Sequence, residues 1–302
     1  MGALELLAVD AVSDLLPEVR AQYGAAFDEA IARNVADALA EDVGSGDQTG
    51  RLVPADEVRD ARIIVREDAV LCGVLWFDGV VKQVDPRIEV RWHYREGERM
   101  TADTPVCSLR GPARSLLTAE RNAMNFLQLL SGVASATRRY VDAIATVAQS
   151  KTRVLDTRKT LPGLRLAQKY AVRVGGGANQ RLALYDGILI KENHIAAAGG
   201  VGAAMDAALA LNAGVPIQIE VETLEQLDQA LAHGAKSVLL DNFSFEMMRE
   251  AVERTAGRAV LEVSGGVNFD SVRTIAQTNV DRVSIGALTK DVRATDFSMR
   301  II

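Results

Sequence analysis

Pro216-Ile217-Gln218-Ile219-Glu220-Val221-Glu222 alternates apolar and polar side chains with a period of two, the pattern of a strand whose faces meet different surroundings. Ile217, Ile219 and Val221 share one face, and Gln218, Glu220 and Glu222 share the other. Five more short apolar runs stand around it, at 153–157, 187–191, 237–242, 259–264 and 281–286, with helical patterns between them. From 187 onward the runs start 29, 21, 22 and 22 residues apart, about one strand plus one helix with short loops. Strands alternating with helices predict a parallel sheet, and the regular spacing favours a barrel over an open sheet. The polar face of 216–222 then lines the lumen, and its apolar face packs on helices.

Upstream the texture differs. Ile31, Val35, Ala38 and Leu39 recur at helical spacing within 25–40, and the segment breaks in a turn at 41–47. Strands are predicted at 61–66, 89–94 and 105–109, with a helix over about 76–84. Residues 1–114 therefore read as a small α+β unit. From 115 to about 148 the pattern is helical, with Leu116, Leu117, Met124, Leu127, Leu130, Val133, Tyr140, Val141 and Ile144 at three- and four-residue intervals. Gly132 is expected to divide this stretch into two helices. The barrel is expected over 115–286, with the tail 287–302 packing back on the first unit.

At 302 residues, 48% hydrophobic and 25% charged, the chain has the make-up of a globular enzyme-sized protein, which excludes disorder and collagen-like repetition. Its net charge of −6 is the wrong sign for a protein that lives on nucleic acid or acidic lipid, so an anionic ligand needs a local basic cluster. Cys72 and Cys107 stand alone, with no metal or redox spacing, and are expected in the core. The first 20 residues mix acids into an apolar run without a basic leader, and the longest apolar run, 69–77, falls short of the ~20 residues of a membrane helix. A soluble, cytoplasmic protein is expected.

In a βα barrel the C-terminal strand ends surround the active site. Here they carry Asp156, Arg158 and Lys159; Lys191, Glu192 and His194; Glu220; Asp241; Ser264, Gly265 and Gly266; and Gly286. Arg158, Lys159, Arg181 and Lys191, preceded by Arg121 on the long helix, suit a ligand with several negative charges, since guanidinium forks match carboxylates and phosphates. Solvated loops are the alternative for such residues. Gly265, Gly266 and Gly286 suit backbone binding of a phosphate, or are turn glycines. Carboxylates would repel that ligand unless Glu220 and Asp241 bind its hydroxyls or hold Mg²⁺ through water. An anionic sugar phosphate with Mg²⁺ satisfies both sets. The run at 175–180, GGGANQ, fails the dinucleotide spacing because position 180 is Gln. His233 reads as a helix-end cap, and His194, alone of the three histidines near the site, as structural support or a catalytic group.

Several segments, taken in order, resemble one family: EDVGSGDQT at 41–49, ERNAMN at 120–125, LDTRKTLPGL at 155–164, VGGG at 174–177, LIKENH at 189–194, EVE at 220–222 and LEVSGG at 261–266. Over about residues 33–291 the chain resembles the quinolinate phosphoribosyltransferases, the carboxylating nicotinate-nucleotide pyrophosphorylases of NAD biosynthesis. The resemblance implies an N-terminal α/β sandwich domain, an incomplete parallel α/β barrel, and a homodimer in which one subunit's sandwich helps close its partner's barrel. It implies that Arg121, Arg158, Lys159, Arg181 and Lys191 clamp quinolinate and phosphate, with Arg121 reaching across the interface. It further implies that Glu220 and Asp241 engage the ribose hydroxyls and Mg²⁺ of phosphoribosyl pyrophosphate, and that Ser264, Gly265, Gly266 and Gly286 hold its 5′-phosphate. Lys159, Lys191, Glu220 and Asp241 are the expected catalytic set.

Two positions depart from the family pattern. Gln180 stands where a His usually precedes the Arg, and Lys290 follows Thr289 where a His is usual. A glutamine can hydrogen-bond a carboxylate but carries no charge and shuttles no proton. Alternatives are therefore a related transferase with another acceptor and an anion sensor without turnover; the place of Lys191 at a barrel strand end separately allows a Schiff-base barrel lyase.

Overall fold

A computed structural model describes residues 14–55 and 57–302. The expectation that the N-terminus carries no leader falls largely on residues 1–13, outside the described residues. In chain order the strands are β1 (Val58–Val65), β2 (Ala69–Val70), β3 (Glu89–Trp92), β4 (Arg99–Met100), β5 (Pro105–Pro112), β6 (Arg153–Leu155), β7 (Ile188–Ile190), β8 (Ile217–Val221), β9 (Ser237–Asp241), β10 (Val260–Ser264), β11 (Arg282–Ser284) and β12 (Phe297–Ile301). Among the described residues, no helix is long and apolar enough to cross a membrane.

The chain forms two compact units. The first gathers the described part of Met1–Arg138 with Thr160–Gly176 and Leu288–Ile302; the second holds Arg139–Lys159 and Gly177–Ala287. This division differs from the 1–114 and 115–286 partition read from the sequence. Packing is the reason: Tyr170, on the helix Arg165–Val174, joins Phe27 and Trp76 in a buried aromatic cluster, with ring centroids 5.3 to 5.9 Å apart. Gln168 Nε2 also donates to the Thr289 carbonyl at 2.9 Å, tying the same helix to the C-terminal segment.

In the first unit an antiparallel sheet runs β12-β1-β5-β3. Alternation along β1 puts Ala61, Ile63 and Val65 in the core and Arg62 outside. The tail supplies an edge strand, pairing Ala61 with Ile301 and Val65 with Phe297. Helix Ala25–Asp42 buries Phe27, Ala30, Ile31 and Val35 against helix Val74–Val84. The latter begins on Glu96, whose buried Oε1 accepts the Gly73 and Val74 N–H groups at 2.6 and 3.2 Å and whose Oε2 accepts the Tyr170 hydroxyl at 2.6 Å. Burial pushes the Glu96 carboxyl up, and these hydrogen bonds pull it back down. Cys72 and Cys107 are both buried.

The long helix corrects one expectation. It runs unbroken over Ala113–Ala145, 33 residues, straight through Gly132. A Cβ on Gly132 would collide with the Arg293 carbonyl and come within 3.3 Å of the Ala294 Cα. The glycine is a contact residue for a passing backbone, not a helix breaker.

In the second unit six strands make one parallel sheet, ordered β6-β11-β10-β9-β8-β7. All six runs singled out in the sequence are present as strands. β6 and β7 are the two edges and do not pair, so the barrel is incomplete. A single parallel bridge between Leu155 and Ala178 brings the 178–181 segment alongside β6. Parallel partners face the same way, and the register Glu220–Leu239–Glu262–Arg282 therefore marks the lumen side. Val221, Leu240, Val263 and Val283 mark the other side, where all four are fully buried. Two of the intervening helices start on hydroxyl caps: Thr223 accepts from the Gln226 N–H and Ser244 from the Met247 N–H, each at 3.2 Å.

Replacing Gly132 with alanine separates two effects. Helix propensity alone would stabilise the variant by about 1 kcal/mol. Overpacking against a backbone carbonyl outweighs it, and Gly132→Ala should lose about 2 kcal/mol, read as a lower urea midpoint at unchanged m-value.

Candidate active site

Every site residue proposed from the sequence except Arg121 belongs to the second unit, and most sit where β6 to β11 end. Lys191 ends the β7 run and faces the lumen in phase with Glu220 of β8. Its Nζ donates to Glu220 Oε2 at 3.2 Å. The Glu220 carboxylate is 11% exposed, and burial raises its affinity for a proton; Lys191 opposes that shift, while the charges of Asp241 and Glu192 add to it. Glu220 and Asp241 thus share one electrostatic environment. Backbone Lys191 N–H donates to His194 Nδ1 at 3.0 Å and closes the first turn of the following helix, which gives His194 a structural role.

At the ends of β9 and β10, Asp241 Oδ1 accepts the Ser264 hydroxyl and Oδ2 the Asn242 amide, both at 2.8 Å. Asn242 has a φ of 55° and Gly265 one of 88°. A side chain at 265 would collide with Asn242 Oδ1, so glycine is required there both by the turn and by the close approach. Gly266 follows with a φ of 59°, leaving an open Ser-Gly-Gly loop. Gly286 occupies the corresponding place two residues beyond β11.

The basic set gathers on the β6 side. Asp156, fully buried, accepts the Asn179 amide at 2.6 Å and the Gln180 N–H at 2.9 Å, which fixes the segment carrying Arg181. Arg181 donates to the Gly187 carbonyl at 2.7 Å. Burial lowers the Arg181 pKa and the charge of Arg158 lowers it further, against Asp186. Guanidinium groups of this kind suit an anion with carboxylate or phosphate oxygens. Lys159 is exposed just beyond Arg158.

Gln180 faces the lumen. Its Nε2 donates to Gln218 Oε1 at 2.8 Å, and Gln218 Nε2 donates to Glu262 Oε2 at 3.0 Å and to Ser237 Oγ at 3.2 Å. Ser284 Oγ donates to Glu262 Oε1. Sequence reasoning placed Gln218 on the polar face without a task and passed over Glu262, although the strand period puts Glu262 in phase with Ser264.

Arg121 is exposed on the long helix of the first unit, in a cleft with Asp42, Asp47, Gln48, Thr49 and Thr118. Asp47 organises this cleft by accepting the Gly50 N–H and the Thr118 hydroxyl, each at 2.8 Å, and these bonds hold its carboxyl below the usual range.

Two family descriptions cover most of the chain: "Quinolinate phosphoribosyl transferase, N-terminal domain" matches residues 47–131 and the C-terminal domain of the same name matches 133–300. The chain belongs to the quinolinate phosphoribosyltransferase family. The nicotinate-nucleotide pyrophosphorylase [carboxylating] of Mycobacterium leprae is 42% identical over 269 residues, spanning 87% of this chain and 94% of that protein. A probable enzyme of the same name from Bacillus subtilis is 36% identical over 262 residues, 86% of this chain and 90% of that one. The solved nicotinate-nucleotide pyrophosphorylase of Francisella tularensis superposes with a TM-score of 0.88 at 44% identity, covering 91% of this chain and 97% of the other. The chain thus shares its α/β architecture with a solved family member.

Removing the charged fork at 181 tests the anion site. Arg181→Ala should weaken quinolinate binding at least about 30-fold by titration calorimetry while the thermal midpoint stays within about 2 °C, because the side chain binds one carbonyl and fills no core.

Proposed function

We propose that this chain transfers the phosphoribosyl group of phosphoribosyl pyrophosphate to the ring nitrogen of quinolinate, with loss of the 2-carboxylate, giving nicotinate mononucleotide, CO2 and pyrophosphate. Family membership across both domains carries the reaction, and the separation of a cationic β6 side from a carboxylate–glycine β8–β11 side fits its two substrates. Arg158, Lys159, Gln180, Arg181 and Lys191 take the dicarboxylate. Ser264, Gly265, Gly266 and Gly286 take the 5′-phosphate, and Glu220 and Asp241 face the ribose.

No general base is needed for the first step. The pyridine nitrogen brings its own lone pair to the anomeric carbon as the bond to pyrophosphate breaks, so catalysis rests on positioning and charge. Glu220 and Asp241 favour the positive charge that develops on the ribose, and the basic side chains receive the leaving pyrophosphate. The quaternised ring then accepts the electron pair released when the 2-carboxylate departs as CO2, and a proton replaces it at that carbon.

Mg²⁺, when bound, neutralises pyrophosphate charge. Glu220 and Asp241 would hold it through water. Two carboxylates are a donor pair that suits an ion carried chiefly by substrate oxygens. The full reading is a cytoplasmic homodimer in which Arg121 reaches the partner's site; its exposure on the long helix is compatible with that role. The Schiff-base alternative fits less well, because the Lys191 amine is engaged as an ion-pair donor to Glu220.

The deciding assay follows nicotinate mononucleotide and CO2 together from quinolinate, phosphoribosyl pyrophosphate and Mg²⁺, with nicotinate in place of quinolinate as control. Equimolar products from quinolinate alone are expected; phosphoribosyl pyrophosphate binding without either product would overturn the assignment. In the same assay Glu220→Gln should lower kcat at least about tenfold and leave the quinolinate KM within about threefold.

A further inference from the structure

We infer that Gln218, with Glu262 behind it, is a positioning residue that fixes the orientation of the Gln180 amide toward the acceptor substrate. The inference rests on the reading of Gln180 as a quinolinate contact and adds two residues to it.

A side-chain amide can turn over and exchange donor for acceptor unless its neighbours forbid it. Here the order is imposed from the inside outward. Glu262 is fully buried on the lumen side of β10, and its two oxygens receive the Ser284 hydroxyl and the Gln218 amide. A carboxylate accepts and does not donate, so Gln218 must turn its Nε2 inward, where its second hydrogen meets Ser237. Its Oε1 is thereby committed to facing Gln180, which must answer with Nε2, at 2.8 Å. Gln218 is itself only 8% exposed, so water is poorly placed to substitute for a lost partner.

The consequence for binding is a fixed polarity at position 180. One hydrogen of Gln180 Nε2 is committed to Gln218, which fixes the donor and acceptor ends of the amide, and N–H donors are what a dicarboxylate requires. A neutral amide tethered through a chain of hydrogen bonds keeps that polarity without a titrating group, at the position where the family pattern has an imidazole. Turning the Gln180 amide would set two carbonyl oxygens against each other and leave Gln218 Oε1 without its donor, a penalty paid before any substrate binds.

The test is a double-variant cycle with quinolinate KM, phosphoribosyl pyrophosphate KM and kcat as readouts. Gln218→Leu is expected to raise quinolinate KM about tenfold, with kcat and phosphoribosyl pyrophosphate KM within about twofold. In a Gln180→Ala background the same change should cost nothing further. Additive costs, or an equal fall in kcat, overturn the inference, since a merely structural role gives both. Because Gln218→Leu strands a buried carboxylate and could fail to fold, a second variant exchanges the pair, Gln218→Glu with Glu262→Gln. It keeps the net charge and every pair of partners, with residue 262 now donating to residue 218 and the Ser237 hydroxyl turning to donate, and quinolinate KM should stay within about threefold of the parent; a folded exchange variant with a tenfold higher KM overturns the inference. If Gln180→Ala alone leaves quinolinate KM unchanged, the reading of Gln180 as a substrate contact fails; if it raises KM while Gln218→Leu remains additive, only the present inference fails.

Discussion

Glu262 places a carboxylate, fully buried, in the middle of a parallel sheet. Such a group persists only with its oxygens satisfied, and the partners that satisfy it come from β8 and β11 on either side. The lumen is therefore ordered by polar contacts where an ordinary barrel stacks aliphatic layers. From that floor upward the side chains become more exposed and more charged: Gln218 and Ser284 first, then Glu220 with Lys191 and Asp241 with Ser264, then the open Ser-Gly-Gly loop. Apolar contacts are concentrated on the opposite face, where Val221, Leu240, Val263 and Val283 hold the sheet to its helices. The strand period separates the two tasks, so the polar interior leaves the apolar packing intact.

The first unit solves its own burial problem with a different device. Glu96 is also a buried carboxylate, but it is answered by backbone N–H groups at the start of a helix and by the Tyr170 hydroxyl. The helix terminus gives it a partial positive charge, and the aromatic cluster of Phe27, Trp76 and Tyr170 shields it from water. One buried acid thereby joins three segments distant in sequence.

Much of this was legible in the residues. The alternation of Ile217, Gln218, Ile219 and Glu220 identified both faces of β8, and the regular spacing of the runs identified six strands and their parallel order. The conspicuous residues at the strand ends, Arg158, Arg181, Lys191, Glu220 and Asp241, stood out because charge in that place is physically costly without a ligand or partner. What stayed hidden depends on contacts between distant segments. Nothing near Gly132 reveals that residue 293 passes against it, so a local rule for glycine gave a false break. Tyr170 and its helix read as part of the barrel because their partners, Phe27 and Trp76, lie 143 and 94 residues upstream. Glu262 escaped notice because its neighbours in sequence are aliphatic, and only its side-chain hydrogen bonds to Gln218 of β8 and Ser284 of β11 expose its role.

The pairing of β12 with β1 has a bearing on how the molecule is made. The edge of the first sheet waits for residues 297–301, more than 230 positions after its partner strand. During synthesis β1 emerges early and presents one edge of unpaired backbone groups until residues 297–301 have been made. A nascent chain is therefore open to mispairing at this edge while the strands of the parallel sheet are still being translated, and the arrival of residues 297–301 is the event that seals it.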